Sequence, residues 1–106
     1  MHSDQFDEPI LFLNNLKELI RHRKSEGNTE TSYTRRLFEE GINKIAQKVG
    51  EEAVELIIEA KDHDDDRFKN EAADLLFHLL VLLEAKNVDL DEVIQILEER
   101  YKRKIK

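Results

Sequence analysis

The chain of 106 residues has no cysteine, one proline and three glycines. Without cysteine there is no disulfide frame, no thiol nucleophile and no thiolate metal site, which fits a reducing, cytoplasmic setting. Cations are in the minority, with 17 Lys and Arg against 24 Asp and Glu, for a formal net charge of −7. That balance argues against a nucleic-acid partner, which normally meets a basic patch. Long apolar runs are missing as well. The longest, Leu75–Leu83, is interrupted by His78 and is too short to span a bilayer. Residues Met1–Asp7 lack the basic start and apolar core of a signal peptide. No glycine-rich phosphate loop and no Ser/His/Asp set with readable spacing is present. These absences predict one intracellular domain over residues 1–106, with neither membrane nor nucleic acid as partner and with residues 1–8 loose.

Few turn residues, together with abundant Leu, Ile, Glu and Lys, point to an all-α protein, a bundle of four to five helices. Pro9 suits a first helical position, where its missing N–H costs nothing. Ile10, Leu13, Leu16, Leu19 and Ile20 then mark a helical face, and Arg21–Lys24 suit a helix C-terminus. Residues 25–33 read as a loop, with Ser32 as N-cap of a short helix over Tyr33–Glu40 and Gly41 as a break. A long helix is expected from Ile42 to Lys61, with Gly50 inside it. An Asp near the end of the 62–66 turn should cap a helix running from about Asp66 to Lys86. Asn87 reads as the end of that helix, and Asp89 with Glu92 as a capping box. The last helix is expected to bury Val93, Ile96, Leu97 and Tyr101. Leu75–Leu83, apolar almost all round, predicts a central helix or a subunit interface.

The long helix carries a narrow acidic stripe. At about 100° per residue, Glu51, Glu52, Glu55 and Glu59 lie within roughly a quarter-turn of each other. Ile45, Val49, Ala53, Leu56, Ile57 and Ala60 cover the opposite side, and Val54 and Ile58 crowd one flank. Like charges one turn apart repel, so something cationic should offset them. Glu71 and Asp74, again three apart, follow on the next helix. Two antiparallel helices presenting Glu52/Glu55 and Glu71/Asp74 would form a four-carboxylate cage. An oxygen-only set suits Mg²⁺ or Mn²⁺, whereas zinc would want His or Cys. The Glu-x-x-His pairing of di-iron bundles is absent. An acidic solvent face is the competing reading, and spacing alone leaves it open. Lys44 and Lys48, one turn apart beside the stripe, either hold phosphate oxygens or snorkel on the surface. Tyr33, Thr34, Arg35 and Arg36 offer hydroxyls and guanidiniums near the loop. His78 shares a face with Glu71 and Asp74, as a ligand or as a hydrogen-bonded core residue.

Taken together, Ser32-Tyr33-Thr34, Leu37, Gly41, Lys44-Ile45, Lys48-Val49-Gly50-Glu51-Glu52-Ala53-x-Glu55, and Glu71-x-x-Asp74-Leu75-x-x-His78 through Leu83 form one pattern. It resembles the phosphoribosyl-ATP pyrophosphohydrolases of histidine biosynthesis, within the wider MazG-like all-α nucleoside triphosphate pyrophosphatases. The likeness covers about residues 10–103. It implies a dimeric MazG-like fold and Mg²⁺-dependent hydrolysis of phosphoribosyl-ATP to phosphoribosyl-AMP and pyrophosphate. Carried over by position, Glu52, Glu55, Glu71 and Asp74 would hold the metal. Glu51 and Glu52 would be catalytic, with Glu51 an outer ligand or water-activating base. Thr34, Arg35, Arg36, Lys44, Lys48 and His78 would meet the substrate. The cyclohydrolase that many bacteria fuse to this domain is not expected, given the chain's length and lack of cysteine. The alternative is a house-cleaning pyrophosphatase acting on dUTP or a non-standard nucleoside triphosphate.

Overall fold

The computed structural model describes residues 8–105, so the expectation for 1–8 falls almost wholly outside the described residues. Five helices follow in order: α1 Pro9–Arg23, α2 Tyr33–Glu40, α3 Ile42–Ala60, α4 Asp65–Ala85 and α5 Leu90–Ile105. No strand is present among the described residues. The boundaries have local chemical causes. Pro9 opens α1, and the Ser32 Oγ accepts the Arg35 backbone N–H at 3.1 Å to cap α2. Asp64 Oδ1 accepts the Arg67 backbone N–H at 3.1 Å and caps α4. At α5 the capping box is complete: Glu92 Oε1 accepts the Asp89 N–H at 2.7 Å, and Asp89 Oδ1 accepts the Asp91 N–H at 2.9 Å. Between α2 and α3 the chain turns at Gly41 with φ +99°, a region that residues with a Cβ avoid. Asn87, the residue expected to end α4, adopts φ +61°, one position beyond the cap at Lys86.

α3 and α4 form the central antiparallel pair, with α1 and α2 packed across one end. The core is small: Ile20, Leu37, Ile45, Leu80 and Val81, flanked by Leu13, Leu16, Phe38, Phe77, Leu82, Ala85 and Leu90. An ionic corner fastens α1 to the α4–α5 junction. Asp89 accepts from Lys17 Nζ at 3.1 Å and from Arg21 Nη2 at 2.9 Å, while Arg21 Nε reaches Glu84 at 3.3 Å. The Asp91 backbone N–H, then Lys17 and Arg21, hold the Asp89 carboxyl down to about 2.

Two expectations about burial need correction. Val93, Ile96, Leu97 and Tyr101 do not bury within this chain, because α5 makes only slight contact with the other helices. Ile96, Leu97 and Tyr101 are at least half exposed, and Val93 is half-buried. The radius of gyration is 15.8 Å, against about 13 Å for a compact domain of this length. The apolar residues of α3 also divide unexpectedly. Ile45, Val49 and Leu56 turn toward the bundle, but Val54, Ile57 and Ile58 are 56%, 57% and 55% exposed. The inward line through Ile45 continues instead into Glu52 and Glu59, both half-buried. No helix of the described residues is long and apolar enough to cross a membrane.

Candidate active site

The inward acids of α3 meet α4 at mid-length. One carboxylate oxygen from each of Glu52, Glu71 and Asp74 lies within 4.8 Å of the others. Glu52 and Glu71 are half-buried, and Asp74 is exposed at the mouth. Desolvation, then the hydrogen-bonding and charged Glu52 carboxylate, then the charges of Asp74 and Glu55, raise the Glu71 carboxyl above its ordinary range. Glu55 therefore faces Glu71 electrostatically but stands outside the tight group, so the close set is three carboxylates, not four. Two turns beyond Glu52 on the same face, Glu59 Oε1 is buried without a hydrogen-bond partner.

These donors fit a hard divalent cation. Oxygen ligands at about 2.0–2.1 Å from Mg²⁺ stand about 3 to 4.2 Å apart in an octahedron. The 4.8 Å grouping needs only a small contraction to reach that spacing. A cation would also remove the repulsion that Glu71 registers. All three ligands are carboxylates, so the set favours Mg²⁺ or Mn²⁺ over zinc.

The remaining candidates surround this cluster unequally. Glu51 turns away from Glu71 and accepts Gln47 Nε2 at 2.9 Å, with Lys48 Nζ at 3.8 Å. The Gln47 hydrogen bond, then the charges of Lys48 and Lys44, lower its carboxyl and keep it ionised. Lys48 is half-buried, and its charge acts on both Glu51 and Tyr33, which places it between the acidic stripe and α2. Lys44 is exposed one turn earlier. Thr34 is half-buried on the first turn of α2. Arg36 is exposed, with its guanidinium over the Tyr33 ring at 5.8 Å and Nη1 donating to the Thr29 carbonyl at 3.2 Å. Arg35 has a different task from the one expected. Nη1 donates to the Lys24 carbonyl at 2.7 Å and Nη2 pairs with Glu39, so its guanidinium ties α2 to the C-terminal end of α1.

His78 is buried. It is 6% exposed. Nδ1 lies 2.8 Å from the Asp74 carbonyl and Nε2 lies 2.8 Å from the Tyr33 hydroxyl. A carbonyl only accepts, so Nδ1–H donates to it, and Nε2 shares a hydrogen bond with the Tyr33 hydroxyl. Phe77 packs edge-on against His78 at 5.2 Å and stacks with Tyr33 at 6.3 Å. Sequence reasoning missed this link between Tyr33 and His78. The signal available was the apolar setting of the histidine, which favours a hydrogen-bonded core residue.

Fold and cluster together define a class: an all-α bundle whose central helix seam carries a carboxylate centre flanked by lysines, suited to a divalent cation and a phosphate-bearing substrate. Comparison with known proteins narrows the class. The phosphoribosyl-ATP pyrophosphohydrolase family profile matches residues 13–101. The chain belongs to the phosphoribosyl-ATP pyrophosphohydrolase family. It is similar to the histidine biosynthesis bifunctional protein HisIE of Bacteroides thetaiotaomicron, 47% identical over 90% of this chain and 46% of that protein. It is also similar to the HisIE of Bacillus subtilis, 49% identical over 84% of this chain and 42% of that protein. With the HisIE of Escherichia coli K12 the identity is 50%, over 86% of this chain and 44% of that protein. The chain thus spans a little under half the length of these curated relatives.

Proposed function

We propose that this chain hydrolyses phosphoribosyl-ATP to phosphoribosyl-AMP and pyrophosphate in histidine biosynthesis, as a cytoplasmic homodimer dependent on Mg²⁺, for which Mn²⁺ can substitute. The observation that carries the reading is the meeting of Glu52, Glu71 and Asp74 across the α3–α4 seam. Bound there, Mg²⁺ would supply Lewis-acid neutralisation of the phosphate oxygens. The chain's own residues supply the rest. Glu51, ionised and steadied by Gln47, stands one residue from Glu52 and is the candidate to take the proton from water. As the water oxygen bonds to phosphorus, the anhydride P–O bond breaks and pyrophosphate leaves with the electron pair. Lys48 and Lys44 are the cations best placed to hold polyphosphate oxygens, with Arg36, exposed but donating to the Thr29 carbonyl, beside them; Arg35 donates to the Lys24 carbonyl and His78 is buried against Tyr33.

Support for the homodimer comes from uncovered apolar surface. Besides Leu76 and Leu79 of α4, it lies on α1 (Ile10, Leu11, Phe12, Leu19), α3 (Val54, Ile57, Ile58) and α5 (Ile94, Ile96, Leu97, Tyr101). Apolar exposure on this scale marks an association surface. The substrate reading is tested by offering phosphoribosyl-ATP, ATP and dUTP separately in Mg²⁺. Preferential turnover of phosphoribosyl-ATP is expected. Efficient cleavage of dUTP with phosphoribosyl-ATP left intact would replace the reading with the house-cleaning activity.

A further inference from the structure

Tyr33 and His78 hydrogen-bond between the first turn of α2 and α4. Tyr33 opens α2, the helix that also carries Thr34 and Arg36. α2 is held to α1 by Arg35 and to the core by Leu37, and it packs along α3. Between α2 and α4, the Tyr33 hydroxyl and His78 Nε2 share a hydrogen bond of 2.8 Å. His78 passes the connection on, since Nδ1–H donates at 2.8 Å to the backbone carbonyl of Asp74, itself one of the three clustered carboxylates. The imidazole meets the Phe77 and Tyr33 rings edge-to-face at 5.2 and 5.8 Å, and both of its nitrogens have hydrogen-bond partners. Tyr33 also lies where the charges of Lys48, Glu52 and Arg36 all reach it.

We propose that Tyr33 and His78 are positioning residues, a rigid strut that sets the distance between the cationic flank of α2 and the Glu52/Glu71/Asp74 cluster. The inference rests on the phosphoribosyl-ATP reading for its consequence in catalysis, but the strut itself is a property of the fold. A polyphosphate must meet the cations and the carboxylate-held centre at once, so its grip depends on their separation. Neither residue needs to touch substrate for that dependence to hold. Loss of the strut should therefore weaken substrate binding and leave the affinity of the cluster for a bare cation nearly unchanged.

Three variants separate the parts. Tyr33→Phe keeps the ring stacking and removes only the hydroxyl. His78→Asn keeps a donor near the Nδ1 position but cannot reach Tyr33. His78→Gln places an amide oxygen near the Nε2 position. From the worth of one hydrogen bond, KM for phosphoribosyl-ATP should rise about 5- to 10-fold in Tyr33→Phe and in His78→Asn. The effect on kcat should be smaller, and His78→Gln should recover part of the loss. The double variant Tyr33→Phe/His78→Asn should be no worse than either single one, because both remove the same bond. Two readouts need no turnover. Mn²⁺ affinity by calorimetry should stay within about twofold of wild type in Tyr33→Phe. Amide exchange of residues 34–37 should accelerate about 5- to 10-fold relative to α3 in both single variants. Wild-type KM in Tyr33→Phe, additive losses in the double variant, or unchanged exchange in α2 would each overturn the strut. A wild-type chain that leaves phosphoribosyl-ATP intact would count against the substrate reading, and the exchange rates would still decide the strut.

Discussion

Replacing Glu71 with glutamine should change stability in opposite directions with and without a divalent cation. In the cation-free protein three carboxylates share a space of 4.8 Å, and the Glu71 carboxyl is raised by desolvation and by Glu52, Asp74 and Glu55. A raised carboxyl favours folding fully below its unfolded value near 4.5 and loses that contribution as pH climbs through the folded value. Above that value the ionised Glu71 opposes folding, and the neutral amide of Glu71→Gln should raise Tm in EDTA. Cation binding reverses the ranking. A ligand present at about 100 times its Kd stabilises the native state by about 2.7 kcal/mol. For a domain near this size each kcal/mol moves Tm by about 4–8 °C, so wild type should gain about 10–20 °C. Glu71→Gln, left with two of three anionic ligands, should gain much less. Differential scanning fluorimetry in EDTA and in graded Mg²⁺, at matched ionic strength, reads both effects. If Glu71→Gln is less stable than wild type in EDTA and responds equally to Mg²⁺, the carboxylates are a solvated face and the site is misplaced.

Other outcomes follow from particular residues. Glu52→Gln should cost more activity than Glu55→Gln in the same pyrophosphate-release assay, since Glu55 lies outside the close group. Arg36→Ala should raise KM for phosphoribosyl-ATP about tenfold with little change in Tm. Arg35→Ala should instead lower Tm, losing a charge-assisted tie to the Lys24 carbonyl worth about 1.5–3 kcal/mol. Acid titration followed by circular dichroism should show the Asp89 contribution intact above its ordinary value of 3.8 and lost as pH falls through about 2, and absent in Asp89→Asn. Sedimentation at micromolar concentration should show a dimer, and Ile57→Glu with Leu97→Glu should shift it to monomer; a stable wild-type monomer would count against the proposed assembly.

Much of the fold was legible because its helix ends are written in single residues. Ser32, Gly41, Asp64 and the Asp89/Glu92 pair each stop or start a helix by a local hydrogen bond or a backbone angle, and such signals survive without knowledge of tertiary contacts. The approach of Glu52 to Glu71 and Asp74 was legible from spacing, since residues three apart share a helix face and a short connection makes neighbours antiparallel, although Glu55 stands outside the close group. Periodicity says which residues lie together on a face, but not which face is turned inward. On α3 the acids Glu52 and Glu59 share the inward side with Ile45, Val49 and Leu56, while Ile57, placed with that apolar face by the pattern, stands outside. α5 shows a clear apolar face whose cover is not in this chain. The tasks of Arg35 and His78 depend on where α1, α2 and α4 meet, which no local pattern encodes.

The central claim is that the α3–α4 carboxylate seam splits phosphoribosyl-ATP between its α- and β-phosphates. Phosphorus NMR of phosphoribosyl-ATP incubated with the chain tests this directly, once in Mg²⁺ and once in EDTA. The account predicts pyrophosphate and phosphoribosyl-AMP in equal amounts in Mg²⁺, none in EDTA, and none with Glu52→Gln in either. Inorganic phosphate as the first product, or equal turnover in EDTA, would contradict it.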